Sequence, residues 1–210
     1  METSRKLASY LLQSKAIIID PANPFTWASG WSSPIYCDNR KTLSFPLIRS
    51  FIRDAFIELI RNNFKSPDII AGVATGAIAH AALVAESLDL PMLYVRSAQK
   101  SHGLGNQIEG DLNSGKRAVV VEDLVSTGNS SLRAVSALQE AGLEVLGMTA
   151  IFTYDFPVAD ENFKKAGIPL MTISSYTDLI EVAAGNGFIR PEDMETLKTW
   201  RKDPAGWKSR

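Results

Sequence analysis

The sequence predicts an α/β fold, a parallel sheet flanked by helices, and three observations carry that prediction. From residue 68 onward, strand-like and helix-like segments alternate, the order expected when strands are joined through crossover helices. The strand segments are apolar without alternation, Val119-Val120-Val121 above all, which suits strands covered on both faces. The helical segments space their apolar residues to one side and leave a polar face for solvent. Sheets of this kind take their ligands beyond the carboxyl ends of the strands, so the polar residues found there are the functional candidates.

Taken in order, Leu7, Leu11 and Leu12 predict a short first helix, with Thr3 or Ser4 as its cap. Ala16 to Asp20 reads as a strand. Residues 21–45 are rich in Pro, Ser and aromatics without helical period, and read as turns and short strands. Ile48, Phe51, Ile52, Ala55, Phe56, Leu59 and Ile60 form one helical stripe, and Pro46 suits the first turn of that helix. Strand Asp68–Val73 then leads through a Gly72–Gly76 turn to helix Ala77–Leu88, and strand Met92–Arg96 enters a long polar loop. Strand Arg117–Glu122 leads to a small-residue turn and a helix from near Ser130 to near Gly142. Strand Glu144–Phe152, a helix near Ala159–Ala166 and strand Leu170–Ser174 complete the alternation. The C-terminal segment reads as helical, with Pro191, Glu192 and Asp193 in a first turn. With no internal repeat, linker or low-complexity tract, residues 1–210 are expected to form one domain. Its parts are an N-terminal hood over about 1–45, a core over about 46–175 and a helical segment over 176–210.

Composition excludes several classes. Hydrophobic residues at 45% and charged residues at 21% are ordinary for a soluble globular chain, and 210 residues suffice for a full core. A net charge of −1 offers no electrostatic footprint for nucleic acid or an anionic membrane. Cys37 is the only cysteine, so no intrachain disulfide forms and a thiolate metal cluster is not expected. The opening METSRKLASYLLQSK is amphipathic and too polar for a secretory signal, and no apolar run reaches the length of a membrane span. A cytoplasmic location is the expectation.

The richest stretch is Val119 to Ser131. A buried strand ends in Glu122 and Asp123, and Ser126, Thr127, Gly128, Asn129 and Ser130 follow where a helix opens. Free backbone N–H groups and the positive end of the helix dipole make such a turn an anion site, phosphate above all. The carboxylates beside it cannot bind that phosphate; sugar hydroxyls or a ligand-borne magnesium ion are their natural partners. An ordinary strand end or an ordinary helix cap would explain either half of this arrangement, but a cap needs only one polar residue. Together the two halves describe a ribose 5-phosphate site. Residues 97–116 hold four of the chain's 14 glycines on a segment without apolar period, and Arg96, Lys100 and His102 lie at or near its start. A solvated loop would carry such cations incidentally; a departing pyrophosphate would need them. Two decoys fail. Gly110 to Arg117 nearly spells a nucleotide phosphate loop but lacks its final hydroxyl residue and precedes a strand. Gly103-Leu104-Gly105 starts a dinucleotide fingerprint but has Ile108 at its third glycine.

Residues 119–131 resemble the 5-phosphoribosyl 1-pyrophosphate (PRPP) signature of the type I phosphoribosyltransferases. Two further matches are narrower. Tyr94 to Gly110 (YVRSAQKSHGLGNQIEG) resembles the catalytic loop of the orotate phosphoribosyltransferases, and Phe25 to Asp38 (FTWASGWSSPIYCD) resembles their N-terminal substrate region. The resemblance implies the type I phosphoribosyltransferase fold with a small N-terminal hood. It also implies transfer of the phosphoribosyl group of PRPP to orotate, giving orotidine 5′-monophosphate and pyrophosphate in pyrimidine biosynthesis. By the same resemblance PRPP is held by Arg96, Lys100, His102 and the run Glu122, Asp123, Leu124, Val125, Ser126, Thr127, Gly128, Asn129 and Ser130. Lys100, Asp123, Arg96 and His102 are its catalytic candidates, and Ser126 also contacts orotate.

Further implications of the family are magnesium bound mainly through PRPP rather than by protein ligands, and a homodimer whose loop closes over the neighbouring subunit's site. Three positions depart from the pattern: Ser97, Thr75 and Ala28 stand where some relatives carry lysine. Gly72 to Gly76 resembles the pyrophosphate-facing loop, although a plain strand-to-helix turn also explains its glycines. Arg40 is a candidate partner for the orotate carboxylate. His80, Trp27 and Trp31 read as packing residues. The competing functions are transfer to another base and PRPP sensing without catalysis; a substrate panel separates the first, and the absence of a basic DNA-binding segment speaks against the second.

Overall fold

The computed structural model describes residues 2–97 and 107–207. The chain runs α1 (Glu2–Gln13), β1 (Ile17–Ile19), β2 (Phe25–Thr26), β3 (Ser32–Ser33), β4 (Ile35–Cys37), a 3-10 helix (Asn39–Ser44), α2 (Pro46–Asn63), β5 (Ile69–Val73), α3 (Ile78–Leu88), β6 (Met92–Val95) and β7 (Ile108–Glu109). It continues with β8 (Arg117–Val125), α4 (Asn129–Glu140), β9 (Glu144–Thr153), α5 (Pro157–Ala166), β10 (Leu170–Ser175), α6 (Tyr176–Gly185) and α7 (Asp193–Lys202). Six strands form one sheet in the order β10-β9-β8-β5-β6-β7. All its neighbours are parallel except β7, which runs antiparallel to β6. The hood contributes two small antiparallel pairs, β1 with β4 and β2 with β3.

The central strands are covered on both faces. Ile70, Val119 and Val121 pack with α1, α2, α3, α6 and the hood, whereas Ile69, Ala71, Ala118 and Val120 pack with α4 and α5. That division is the period of two along a strand, and it accounts for the unbroken apolar runs in the sequence. The hood joins the larger of these two cores through Ala16, Ile17 and Ile35. It is also pinned by the last helix: Trp200 is fully buried and its Nε1 donates to the Ser32 carbonyl at 3.2 Å. Trp27, Tyr154, Phe156 and Tyr176 surround that indole with ring centroids 5.5–5.8 Å away. Cutting Trp200 back to alanine would cost about 3–5 kcal/mol on the scale of large core truncations. Trp27 is thus a packing residue, as the sequence reading had it, and Trp31 stacks on Trp27 at 6.4 Å.

Several boundaries differ from expectation. α1 starts at Glu2, so Thr3 and Ser4 lie inside it; Ser4 Oγ instead donates to Asp178 Oδ2 at 2.6 Å. The C-terminal segment holds two helices, and Pro191 and Glu192 precede α7 rather than open it. Ile108 and Glu109, read as polar loop, extend the sheet by one short strand. The consequential difference is in β8, which runs to Val125 and not to Glu122. Among the described residues no helix is long and apolar enough to cross a membrane.

Candidate active site

β5 and β8 are adjacent and parallel, with Gly72 opposite Val121, so the turns that leave them lie side by side. β8 continues through the acidic pair, whose two carboxyls lie within hydrogen-bonding reach of each other. Glu122 is turned toward α4. Its Oε2 accepts from the Ser131 hydroxyl at 2.8 Å and its Oε1 from the Asp123 N–H at 2.9 Å, and only 5% of the residue is exposed. Burial, reinforced by the charge of Asp123, lifts its carboxyl well above the usual range. Glu122 thus holds the start of α4, with the Asp123 carboxyl beside it near the end of β8.

Asp123 is half-buried, and burial raises its carboxyl as well, with the Arg40 charge among the opposing influences. Two neighbours define its place. Asn39 Nδ2, from the hood, donates to the Asp123 carbonyl at 2.6 Å. On the other side Gly76 is packed so closely that a Cβ there would stand 2.0 Å from Asp123 Oδ2. Gly72 is equally constrained, since its Cβ would lie 2.8 Å from that of Ala81. The glycines of the Gly72–Gly76 turn are therefore required by close approach, which a generic turn would not demand. The Ala74–Thr75 peptide between them is cis, and Thr75 is exposed.

The turn after β8 is built for an anion. Gly128 adopts φ +80° and leads directly into α4, whose first turn has no side-chain cap. The opening N–H groups are thus left for a ligand, at the positive end of the helix. A Cβ on Gly128 would also stand 2.8 Å from Phe163 Cε2 of α5. From the same helix Asn162 Nδ2 donates to the Thr127 carbonyl at 2.9 Å and to Asn129 Oδ1 at 3.2 Å, bracing the turn from outside. Ser126 and Thr127 are half-buried and Asn129 and Ser130 exposed. Leu124 and Val125 are still strand; Val125 is fully buried, and its carbonyl accepts from the Tyr154 N–H at 3.1 Å. Its side chain belongs to the core.

Arg96 stands at the end of β6. Its N–H donates to the Gln107 carbonyl at 2.9 Å and its carbonyl accepts from Gln107 Nε2 at 2.9 Å, while its guanidinium lies 3.6 Å from Glu109. Arg96 and Ser97 share a cavity of about 40 Å³ with Ser130 and Arg133 of α4 and with Val73 and Ala74. The pyrophosphate-facing turn, the base of the cationic loop and the phosphate turn thus meet at one place. Lys100 and His102 lie outside the described residues. Arg40 is engaged by Asp38 at 2.7 Å, on the hood side of Asp123. His80 is buried in α3 with Nε2 3.4 Å from Thr42 Oγ1, and burial, then the Arg49 charge, lowers its pKa to about 4. Such a group stays neutral and structural, as its sequence context suggested.

Sequence reasoning passed over Asn39, Ser131, Arg133 and Asn162. No local signal separates them from ordinary hood or helix-surface residues. A cavity of about 600 Å³ between Pro21, Ala22 and the α7 region shares no residue with this site. Among the described residues no cluster of three or more His, Cys, Asp or Glu side chains is placed to hold a metal ion.

Comparison with known proteins agrees with the geometry. A phosphoribosyl transferase domain model matches residues 44–165. The chain is 57% identical over 203 residues to the orotate phosphoribosyltransferase of Bacteroides thetaiotaomicron, covering 97% of this chain and 96% of that protein. It is 52% identical over 208 residues to that of Cytophaga hutchinsonii, covering 99% and 100%. Among solved structures, the orotate phosphoribosyltransferase from Aeropyrum pernix matches with a TM-score of 0.75 at 29% identity, over 88% of this chain and 99% of that one. The UMP synthase of Leishmania donovani matches with a TM-score of 0.80 at 26% identity, over 94% of this chain and 42% of that one. Identity of this level along nearly the whole length, together with the shared fold, places the chain in the orotate phosphoribosyltransferase family.

Proposed function

We propose that this site transfers the 5-phosphoribosyl group of PRPP to orotate, with release of pyrophosphate, as a step toward pyrimidine nucleotides. The observation that carries the reading is the pairing of an uncapped helix start behind Gly128 with the Asp123 carboxylate, one turn of chain apart. The N–H groups from Thr127 to Ser130 take the 5-phosphate, and Ser126 reaches toward orotate. Glu122 and Asp123 take the ribose hydroxyls, and Asp123, the nearer to the reacting centre, steadies the positive charge that grows at the sugar as the bond to pyrophosphate loosens. Arg96, with Lys100 and His102 from the loop, receives the charge that grows on the leaving group. The orotate nitrogen then attacks from the face opposite the departing pyrophosphate, and no covalent enzyme intermediate is required.

Magnesium is proposed to enter with PRPP. The adjacent carboxyls of Glu122 and Asp123 fall far short of the roughly six oxygen ligands the ion demands, so the donor set fits an ion held mainly by substrate oxygens and water. Bound there it neutralises charge on the pyrophosphate. We further propose a single domain with its hood over residues 1–45, located in the cytoplasm, and a homodimer whose loops complete each other's sites. Mixed dimers of Lys100→Ala and Asp123→Asn protomers test that assembly: one intact site per mixed dimer should restore roughly a quarter of wild-type activity after random pairing. No rescue in demonstrated mixed dimers would remove the shared site.

The substrate assay tests the reaction itself. With magnesium and PRPP, orotate absorbance should fall, and adenine, hypoxanthine and uracil should react little. Efficient use of a purine beside inert orotate would overturn the reading.

A further inference from the structure

We infer that Asn39 is a positioning residue for phosphoribosyl transfer, fixing from the hood the stretch of main chain that carries the Asp123 carboxylate. The inference rests on the reading of the site given above.

Asn39 is 1% exposed, and each of its polar ends is engaged. Nδ2 donates to the Asp123 carbonyl at 2.6 Å, and Oδ1 lies 3.4 Å from Cys37 Sγ. Chemistry settles which way round the carboxamide sits. A carbonyl can only accept, so the amino group must face Asp123. The Cys37 thiol, kept protonated by burial and by its neighbours Asp123 and Asp38, can donate to Oδ1. The Asn39 carbonyl in turn accepts from the Thr42 hydroxyl at 2.6 Å. With its proton committed there, the Thr42 oxygen faces His80 Nε2 at 3.4 Å as an acceptor, which puts the ring proton on Nε2. His80 Nδ1 is left as a bare lone pair with no partner among the described residues.

Two sets of bonds therefore meet at Asn39 in the 3-10 helix: Thr42, backed by His80 of α3, holds its main-chain carbonyl, and its side-chain amide holds the main chain of Asp123. Removing one member of such a buried set leaves its partner unsatisfied. The bond from Asn39 ends on the main chain of Asp123 and takes up none of the acceptor capacity of its carboxylate. Gly76 packs against that carboxylate and leaves it no room on its own side. Hood and turn together restrict where Asp123 can stand. A carboxylate that must meet charge developing on ribose loses much of its effect when displaced by about 1 Å.

The test is a double-mutant cycle on kcat, read in single turnover at high enzyme concentration so that slow variants remain measurable. Asn39→Ala is expected to lower kcat about 10- to 100-fold, while PRPP affinity measured by calorimetry stays within about threefold. In the Asp123→Asn background the same change should cost less than about twofold, because the group that Asn39 positions is already gone. Asn39→Asp, of equal size but presenting an acceptor to a carbonyl, serves if the alanine variant fails to fold, and it should lose at least as much. Equal losses in both backgrounds, or no loss of kcat in the wild-type background, would overturn the inference. The wild-type assay with orotate, run in the same series, tests the underlying reading separately.

Discussion

The turns that leave β5 and β8 have the same job in outline, taking adjacent parallel strands into helices at one edge of the sheet, yet they are held in different proportions. The β8 turn has one close approach, Gly128 against Phe163, and is otherwise held by polar side chains: Asn162 reaches Thr127 and Asn129, and Ser131 reaches Glu122. The β5 turn is held by missing side chains, with Gly72 pressed on Ala81 and Gly76 on Asp123. The Asn162 brace, which lies near the surface, can be loosened by degrees, because water can take over a lost partner there. A close approach has no such reserve, since a single added carbon must displace what it meets. Small changes in the β5 turn should therefore be felt in catalysis, and small changes around the β8 turn in binding and stability.

Gly76→Ala is the sharpest way to break this contrast. Its new Cβ would fall 2.0 Å from Asp123 Oδ2 and 2.4 Å from its Cγ, so the carboxylate must move. A loss of about 10²- to 10³-fold in kcat is expected, on the scale of removing a preorganised charge stabiliser. Steady-state kinetics beside a melting curve would show it, and retention of kcat in a folded variant would mean that Asp123 tolerates displacement.

A second prediction concerns pH on the β5 side, where the buried face of α3 carries His80 among alanines and Val84. Its pKa is about 4 in the folded chain against an ordinary 6.5, so between those values the unfolded chain binds more protons. Stability from this group is fully present above 6.5 and is lost as pH falls toward 4, amounting to about 3 kcal/mol at most. Denaturant titrations of wild type and His80→Gln across that window should differ in slope by this contribution. Parallel curves would show that His80 does not govern the acid limb.

The smallest effect is expected from Asn162→Ala. Losing the brace should cost about 1 kcal/mol of stability and raise the PRPP KM a few-fold, with kcat unchanged. A kcat loss rivalling that of Gly76→Ala would erase the distinction between the two turns.

Much of this was legible before any coordinates. The unbroken Val119–Val121 run announced a strand covered on both faces, and both faces are covered. The hydroxyl-rich run behind the acidic pair announced a helix opening on an anion site, and α4 starts at Asn129 without a cap. The three family motifs needed only residue order. These features are local: periodicity, turn chemistry and adjacent residue types act over a few positions, so the chain states them directly.

The surroundings of Glu122 depended on where β8 ends. Three more residues of strand carry its carboxyl into the interior, where the Ser131 hydroxyl meets it. Asn39 meets Asp123 across 84 residues and Asn162 meets Thr127 across 35, distances over which composition and spacing carry no information. Gly76 looked like any turn glycine until Asp123 was folded against it. The sequence by itself determined the layers of the fold and the chemical class of the site. Only the tertiary structure decided what holds the acidic pair in place, because that placement is made by side chains brought together from distant parts of the chain.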